Sequence, residues 1–169
     1  MFSKTFFASI VCGLLAIALQ PMLAASSTPS LAGSWQFTLT PTTTTSATPV
    51  EYPGLATFTT DGSAVETDGT EYVGIPVSSG AAPKAATPGH GVWGAGNTPI
   101  ALLVQYISLV LNTDGSLYAK RVTNMILSVS STGQTFSGTY TTDQEADGST
   151  TVISAGTVTG TLIPHEIVP

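Results

Sequence analysis

The chain has 169 residues, with ten acidic side chains against four basic ones and a formal net charge of −6 at pH 7. This balance leaves no basic patch to attract a phosphate backbone, so we expect no nucleic acid partner. The single cysteine, Cys12, lies in the N-terminal segment. The rest of the chain therefore has neither disulfides nor cysteine chemistry.

Residues 1–25 have the layout of a secretory signal peptide, with Lys4 at the start, an apolar run from Phe6 to Leu19 and small residues at the end. The run is shorter than the roughly 20 apolar residues that a membrane-spanning helix needs. We therefore predict cleavage near residue 25 and a secreted or periplasmic protein without a membrane span. The remaining residues, 26–169, fit one domain.

Strand patterns and turn residues alternate along the rest of the chain. Trp35, Phe37 and Leu39 share one face of a first strand. The 27 threonines that follow residue 25 also favour strands, because branching at Cβ restricts χ1. No segment has a helical period with caps. The predicted strands cover 33–40, 55–60, 63–67, 90–95, 99–111, 116–130, 134–142 and 150–163.

The most regular stretch, Pro99 to Ser130, reads as two long strands joined at Asn112–Gly115, because Asp-Gly between apolar runs is a strong hairpin signal. Consecutive hairpins and long strands predict an all-β fold, a single antiparallel up-and-down barrel of about eight strands. Glycines inside the late strands indicate bends or bulges; these are Gly138, Gly156 and Gly160.

The longest irregular stretch, Val77 to Pro88, is rich in Ala, Ser, Pro and Gly and is expected to lie over one barrel end. His90 follows it, between two glycines. It is either a general acid or base that faces a cavity, or a loop histidine bonded to the backbone.

Polar residues within apolar strands are the other candidates for a site. Glu66, Tyr106 and Arg121 lie in different predicted strands. If Arg121 points inward, it needs a partner such as Glu66, and the pair would either bind the polar group of a ligand or fasten the barrel. Aromatic residues would line a cavity or fill the core; these are Trp35, Phe58 and Trp93.

Metal and nucleophile motifs are weak. The only histidines are His90 and His165, and no G-x-S-x-G occurs. Asp143–Gly148 resembles the start of a calcium loop, but the twelfth position is Ser154, so we interpret this stretch as an acidic hairpin turn. We therefore assign no catalytic residue, no metal and no cofactor.

Leu31-Ala32-Gly33-Ser34-Trp35 resembles the G-x-W motif that opens the first strand of calycins, the lipocalin-like barrels. The Pro88–Trp93 run and the later Gly-closed turns are similar to a group of secreted bacterial lipocalin-like proteins of unknown role. The resemblance implies a lipocalin-like barrel, in which Trp35 and Trp93 would line the cavity or plug its closed end. The chain departs from calycins at Leu162, where an Arg or Lys would pack over the tryptophan; either Arg121 takes that role or apolar packing closes Trp35.

Three functions remain open. The leading hypothesis is a secreted binding protein for a small apolar molecule, with Trp35, Phe58, Glu66, His90, Trp93, Tyr106 and Arg121 as candidate ligand-binding residues. An alternative, by analogy of fold, is a cyclase or isomerase resembling allene oxide cyclase, with Glu66, Tyr106 and Arg121 converging in the interior. A third is an extracellular structural or interaction module, indicated by the threonine-rich coat and the Thr42–Thr45 loop.

Overall fold

The computed structural model describes residues 29–42, 50–69, 85–98 and 100–164. The described residues contain no α-helix, and hence no helix long and apolar enough to cross a membrane. They form nine strands: β1 (Gly33–Pro41), β2 (Tyr52–Phe58), β3 (Ser63–Asp68), β4 (Ala85–Ala86), β5 (Gly89–Ala95), β6 (Ala101–Leu111), β7 (Leu117–Val129), β8 (Thr135–Ala146) and β9 (Ser149–Leu162).

The strands form one closed antiparallel sheet. The order runs β6, β5, β3, β2, β1, β9, β8, β7 and returns to β6. Every long strand therefore has a neighbour on both sides, which removes the open edges that a flat sheet would have. The first and last strands close the ring, with Leu39 of β1 opposite Val158 of β9. The predicted all-β barrel of eight long strands is confirmed.

The hairpin turns depend on residues that tolerate a positive φ. Asp147 and Gly148, between β8 and β9, have φ values of 50° and 75°, the two positive values that a type I′ turn requires. Gly115 closes the β6–β7 turn with a φ of 82°. Asp114 in that turn accepts a hydrogen bond from the Ser116 N–H at 3.0 Å. The hairpin predicted for Pro99–Ser130 is thus present.

Alternation along each strand divides the residues between the interior and the outer face. Leu102, Val104 and Tyr106 of β6 are buried, whereas Leu103 and Gln105 between them are exposed. The same period of two recurs in β1, β2 and β7. The interior of the barrel is therefore the single hydrophobic core of the described chain.

Glycines in β8 and β9 mark places where the backbone of one strand comes close to the next. A β-carbon on Gly138 would overlap the carbonyl oxygen of Ile126, and one on Gly160 would overlap the Phe136 ring. The register shift in this hairpin lies elsewhere, between Thr142 and Asp143. Close approach, rather than a bulge at these glycines, accounts for the lack of a side chain.

The two ends of the barrel differ. At the tryptophan end, the interior is filled by aromatic and aliphatic side chains, among them Trp35, Phe58, Leu127 and Phe136. At the opposite end, which we call the polar end, buried polar side chains replace them: Glu66, Asp68, Ser108, Arg121, Thr123 and Thr142.

Three predictions about the strands were wrong. β2 covers Tyr52–Phe58 instead of 55–60, because Tyr52 and Pro53 continue the pairing with β1. β8 continues to Ala146 instead of ending at residue 142, because the bulge after Thr142 lets the acidic segment keep pairing with β9. Asp143 and Glu145 are consequently strand residues and not part of a turn. β4 was predicted as loop, because two alanines carry no strand signal. Residues 1–25 and 77–84, on which we predicted a signal peptide and most of a long loop, lie outside the described residues.

Candidate functional site

The candidate residues separate into three locations. Trp35, Phe58 and Trp93 lie at the tryptophan end, and Glu66, Tyr106 and Arg121 lie at the polar end. His90 stands on the outer face of β5, opposite the exposed Val65 and Ile107, so it does not face the interior. β5 pairs in regular register through Gly91, and no bulge turns His90 inward.

Trp35 is fully enclosed by structural contacts. Its Nε1 donates a hydrogen bond to the Leu31 carbonyl at 2.7 Å, and its ring packs on Phe136 at a centroid distance of 5.0 Å. Leu162 lies opposite Trp35 in the β1–β9 pair. Apolar side chains therefore cover the Trp35 ring. Arg121 does not cover it, because Arg121 lies at the polar end.

Trp93 and Phe58 extend this packing. Trp93 Nε1 donates to the Thr59 carbonyl at 2.8 Å, and the Trp93 ring meets Phe58 edge to face at 6.3 Å. Both indole N–H groups of the protein are thus satisfied by backbone carbonyls. The three aromatic candidates act as core residues that plug one end of the barrel.

At the polar end, Tyr106 and Arg121 are brought together by the β6–β7 register. Tyr106 lies opposite Thr123, and Ser108 lies opposite Arg121. All four side chains point inward because they occupy alternate positions on their strands. The interior thus acquires two adjacent rows of polar groups.

Glu66 reaches the same place from β3. It lies opposite Gly89 of β5. A β-carbon on Gly89 would overlap Glu66 Oε1 and lie 2.6 Å from Tyr106 Cδ2. Because Gly89 has no side chain, the Glu66 carboxyl and the Tyr106 ring can approach each other in the space beside it.

Burial and nearby carboxylates control the ionisation of Tyr106. Burial raises the pKa of Tyr106 well above its ordinary value of 10.0, and the charges of Glu66 and Asp68 raise it further. The Thr123 hydroxyl lowers this pKa against those effects, and Thr123 forms its hydrogen bond with Thr142 at 2.9 Å. Tyr106 stays protonated and can donate.

Burial also lowers the pKa of Arg121, and the charge of Asp68 opposes this effect. The Arg121 residue is only 6% exposed. Within the described chain, neither Arg121 Nε nor the Tyr106 hydroxyl has a hydrogen-bond partner. Two buried donors therefore point into the polar end without an acceptor.

Tyr140 provides a contrast. It is as buried as Tyr106, but its hydroxyl forms a hydrogen bond with Ser154 Oγ at 2.9 Å. Burial raises the pKa of Tyr140, and the bond to Ser154 partly opposes this. An inward-facing tyrosine in this barrel can thus be satisfied internally, and Tyr106 is not.

Four members of the polar end were not identified from the sequence: Asp68, Ser108, Thr123 and Thr142. Asp68 was interpreted as a turn residue because Gly69 follows it. A period of two continued from Glu66, Tyr106 and Arg121 leads to Asp68, Ser108 and Thr123. That signal was available in the sequence.

The described residues bring no three His, Cys, Asp or Glu side chains together in a metal-binding arrangement. At the polar end, Tyr106 and Arg121 can donate hydrogen bonds, and the carboxylates of Glu66 and Asp68 lie at the same end. Comparison with known proteins adds no identity, since no family model, curated protein or solved structure matches this chain.

Proposed function

We propose that this protein is a secreted or periplasmic barrel of the lipocalin-like type that binds a small, largely apolar molecule by its polar group at the polar end. The observation that carries the proposal is the pair of buried donors, Tyr106 OH and Arg121 Nε, that have no acceptor in the described chain. Buried polar groups are almost always hydrogen-bonded, and each one left without a partner costs about 1–3 kcal/mol. A ligand oxygen would satisfy both.

The surroundings suit the apolar part of such a ligand. Leu39, Val110 and Ala119 are buried towards the polar end and carry no polar side-chain atoms. The tryptophan end is filled, so a ligand would have to lie nearer the polar end. A barrel of about eight strands has room for its own side chains or for one small molecule.

The lipocalin-like part of the proposal is supported by the first strand. Trp35 of the G-x-W motif is buried and lies in the first strand of an up-and-down barrel, which this motif opens in calycins. Export is supported by the layout of residues 1–25.

A cyclase or isomerase resembling allene oxide cyclase is the second candidate. It is favoured by the closeness of the Glu66 carboxyl and the Tyr106 ring over Gly89. A carboxylate and a protonated phenol at the same end of the barrel are a potential proton acceptor and donor. The analogy rests on the fold alone.

The test compares two buried tyrosines. We expect lauric acid, farnesol or camphor to bind in isothermal titration calorimetry, and Tyr106→Phe to weaken that binding about tenfold with unchanged or slightly higher stability, because it removes a hydroxyl that has no partner. Arg121→Lys, which keeps the charge but lacks Nε, should weaken binding as well.

The matched control is Tyr140→Phe. It should lower stability by about 1 kcal/mol, because it breaks the bond to Ser154, and leave binding unchanged. Failure of every probe to bind, or equal destabilisation by both tyrosine variants, would contradict the proposal. A probe recovered as an isomer after incubation would favour the enzyme.

A further inference from the structure

The outer surface of the barrel has two unlike walls. On β1, β9 and β8 many outward residues carry hydroxyl groups, as in the row Thr38, Thr159 and Ser137 across the three strands; we call this the threonine wall. On β3, β5, β6 and β7 the outward positions hold large aliphatic side chains that are 40–61% exposed. This apolar wall consists of Val65, Val92, Leu103, Ile107, Leu109 and Ile126.

The strand register makes the apolar wall continuous. Leu103 lies directly opposite Ile126 in the β6–β7 pair. Val92 of β5 lies opposite Gln105, which stands between Leu103 and Ile107 on the outer face of β6. Directly opposite and diagonal neighbours on one face of a sheet are within reach of each other. The exposed aliphatics are therefore one patch.

The polar residues within the patch include His90, which lies between Val65 and Ile107, and an amide pair. Gln105 Nε2 donates to Asn124 Oδ1 at 2.8 Å, so the two amides at its centre bond to each other. On the described outward positions of these four strands, Lys120 is the only Lys, Arg, Asp or Glu, and it lies at the margin, 2.6 Å from Glu145. Covering the patch would leave few groups without partners.

We propose that the apolar wall is the contact face of a homodimer. The exposed aliphatics present on the order of 500 Å² of apolar surface, at the upper end of the largest patch on a typical monomer. Together with the neutral residues among them, the wall approaches the roughly 800 Å² that each partner buries in a standard interface.

A second copy fits this face better than a charged partner. The chain carries a net charge of −6, which opposes association of two copies, and a contact face without Asp or Glu adds the least further repulsion. The apolar wall is such a face. Two copies related by a twofold axis would match it with itself, which is the commonest arrangement of soluble oligomers. The wall continues into a groove of about 470 Å³ beside β3, lined by Leu55, Val65, Ala86 and Pro88.

Sedimentation equilibrium of the full gene product, purified as the producing cell processes it, tests the proposal. The wild type should have the mass of a dimer. Val92→Asp and, separately, Ile126→Asp should halve the measured mass, because each places a carboxylate in the centre of an apolar contact. Both side chains point outward, so the circular dichroism spectrum should not change.

Thr159→Asp, with the same charge on the threonine wall, is the control and should remain a dimer. A wild type that stays monomeric at high concentration would overturn the proposal, as would dimers that persist in both wall variants. Dissociation of the Thr159→Asp control to the same extent would show that charge alone, and not this face, governs the mass. Ligand binding at the polar end does not enter this measurement.

Discussion

Tyr106 has an effect on stability that depends on pH. Its pKa in the folded barrel is raised by burial and by Glu66 and Asp68, whereas in the unfolded chain it lies near the ordinary value of 10.0. Below pH 10 both states hold the proton and stability is unaffected. Above pH 10 the unfolded chain loses the proton first, so stability should fall by up to about 1.4 kcal/mol per pH unit.

Urea titrations from neutral pH to about pH 11 measure this slope. Tyr140, whose pKa is also raised, adds to the decline in the wild type. For Tyr106→Phe, stability should fall less steeply with pH, because only other titrating groups such as Tyr140 still contribute to the decline. Identical slopes for the wild type and the variant would contradict a buried, protonated Tyr106.

For single residues, the sequence predicted which side chains belong to a polar site better than it predicted which way each side chain points. Glu66, Tyr106 and Arg121 were recognisable because a polar residue inside an apolar strand needs a partner. One of the two interpretations of His90 had it facing a cavity, but the regular register of β5 leaves it on the outer face. Alternation along a strand tells which face a residue occupies only when the face of a neighbouring residue in that strand is already known.

Among the strands, Gly138 of β8 should not tolerate a side chain. A β-carbon there would overlap the backbone oxygen of Ile126, which cannot move without opening the β7–β8 pair. Gly138→Ala should therefore cost about 1–3 kcal/mol, as overpacking typically does. Thermal and urea unfolding of the variant measure the loss.

Gly94 of β5 is the matched control, since a β-carbon on it would meet nothing within 4 Å. Gly94→Ala should leave stability unchanged or raise it slightly, because alanine restricts the unfolded chain. Equal effects at the two positions would show that close approach is not what excludes a side chain from position 138.

Elements with strong local signals were predicted well, and those that depend on neighbours were not. The β6–β7 hairpin has apolar arms and an Asp-Gly turn, so its own residues specify it. β4 consists of Ala85 and Ala86, which pair with β6 although two alanines carry no strand signal of their own. The extension of β8 beyond Thr142 likewise depends on a bulge that no local residue signals.

For the whole barrel, closure by β1 and β9 should be a late event in folding. It joins residues from the two ends of the described chain, whereas β5, β6 and β7 are connected by short turns. Leu102→Ala in β6 and Leu39→Ala in β1 each remove a buried leucine side chain and should each cost about 2–5 kcal/mol. The first should slow folding, and the second should mainly accelerate unfolding.

Stopped-flow folding and unfolding rates across a range of urea concentrations separate the two cases. If Leu39→Ala slowed folding as much as Leu102→Ala, closure would already be formed in the transition state. The all-β barrel itself could be predicted from the sequence, because hairpin after hairpin leaves few other ways to bury one face of each strand. The pairing of first and last strands follows only from the ring as a whole.

The β1–β9 seam also determines how the molecule would respond to tension. The start of β1 and the end of β9 lie side by side, with Trp35 opposite Leu162, and the two strands run in opposite directions from there. A force that pulls these two ends apart acts across the seam, so it loads one hydrogen bond after another, beginning beside Trp35. The barrel would thus peel open from its filled end at low force, and the polar end would be the last part of the seam to separate.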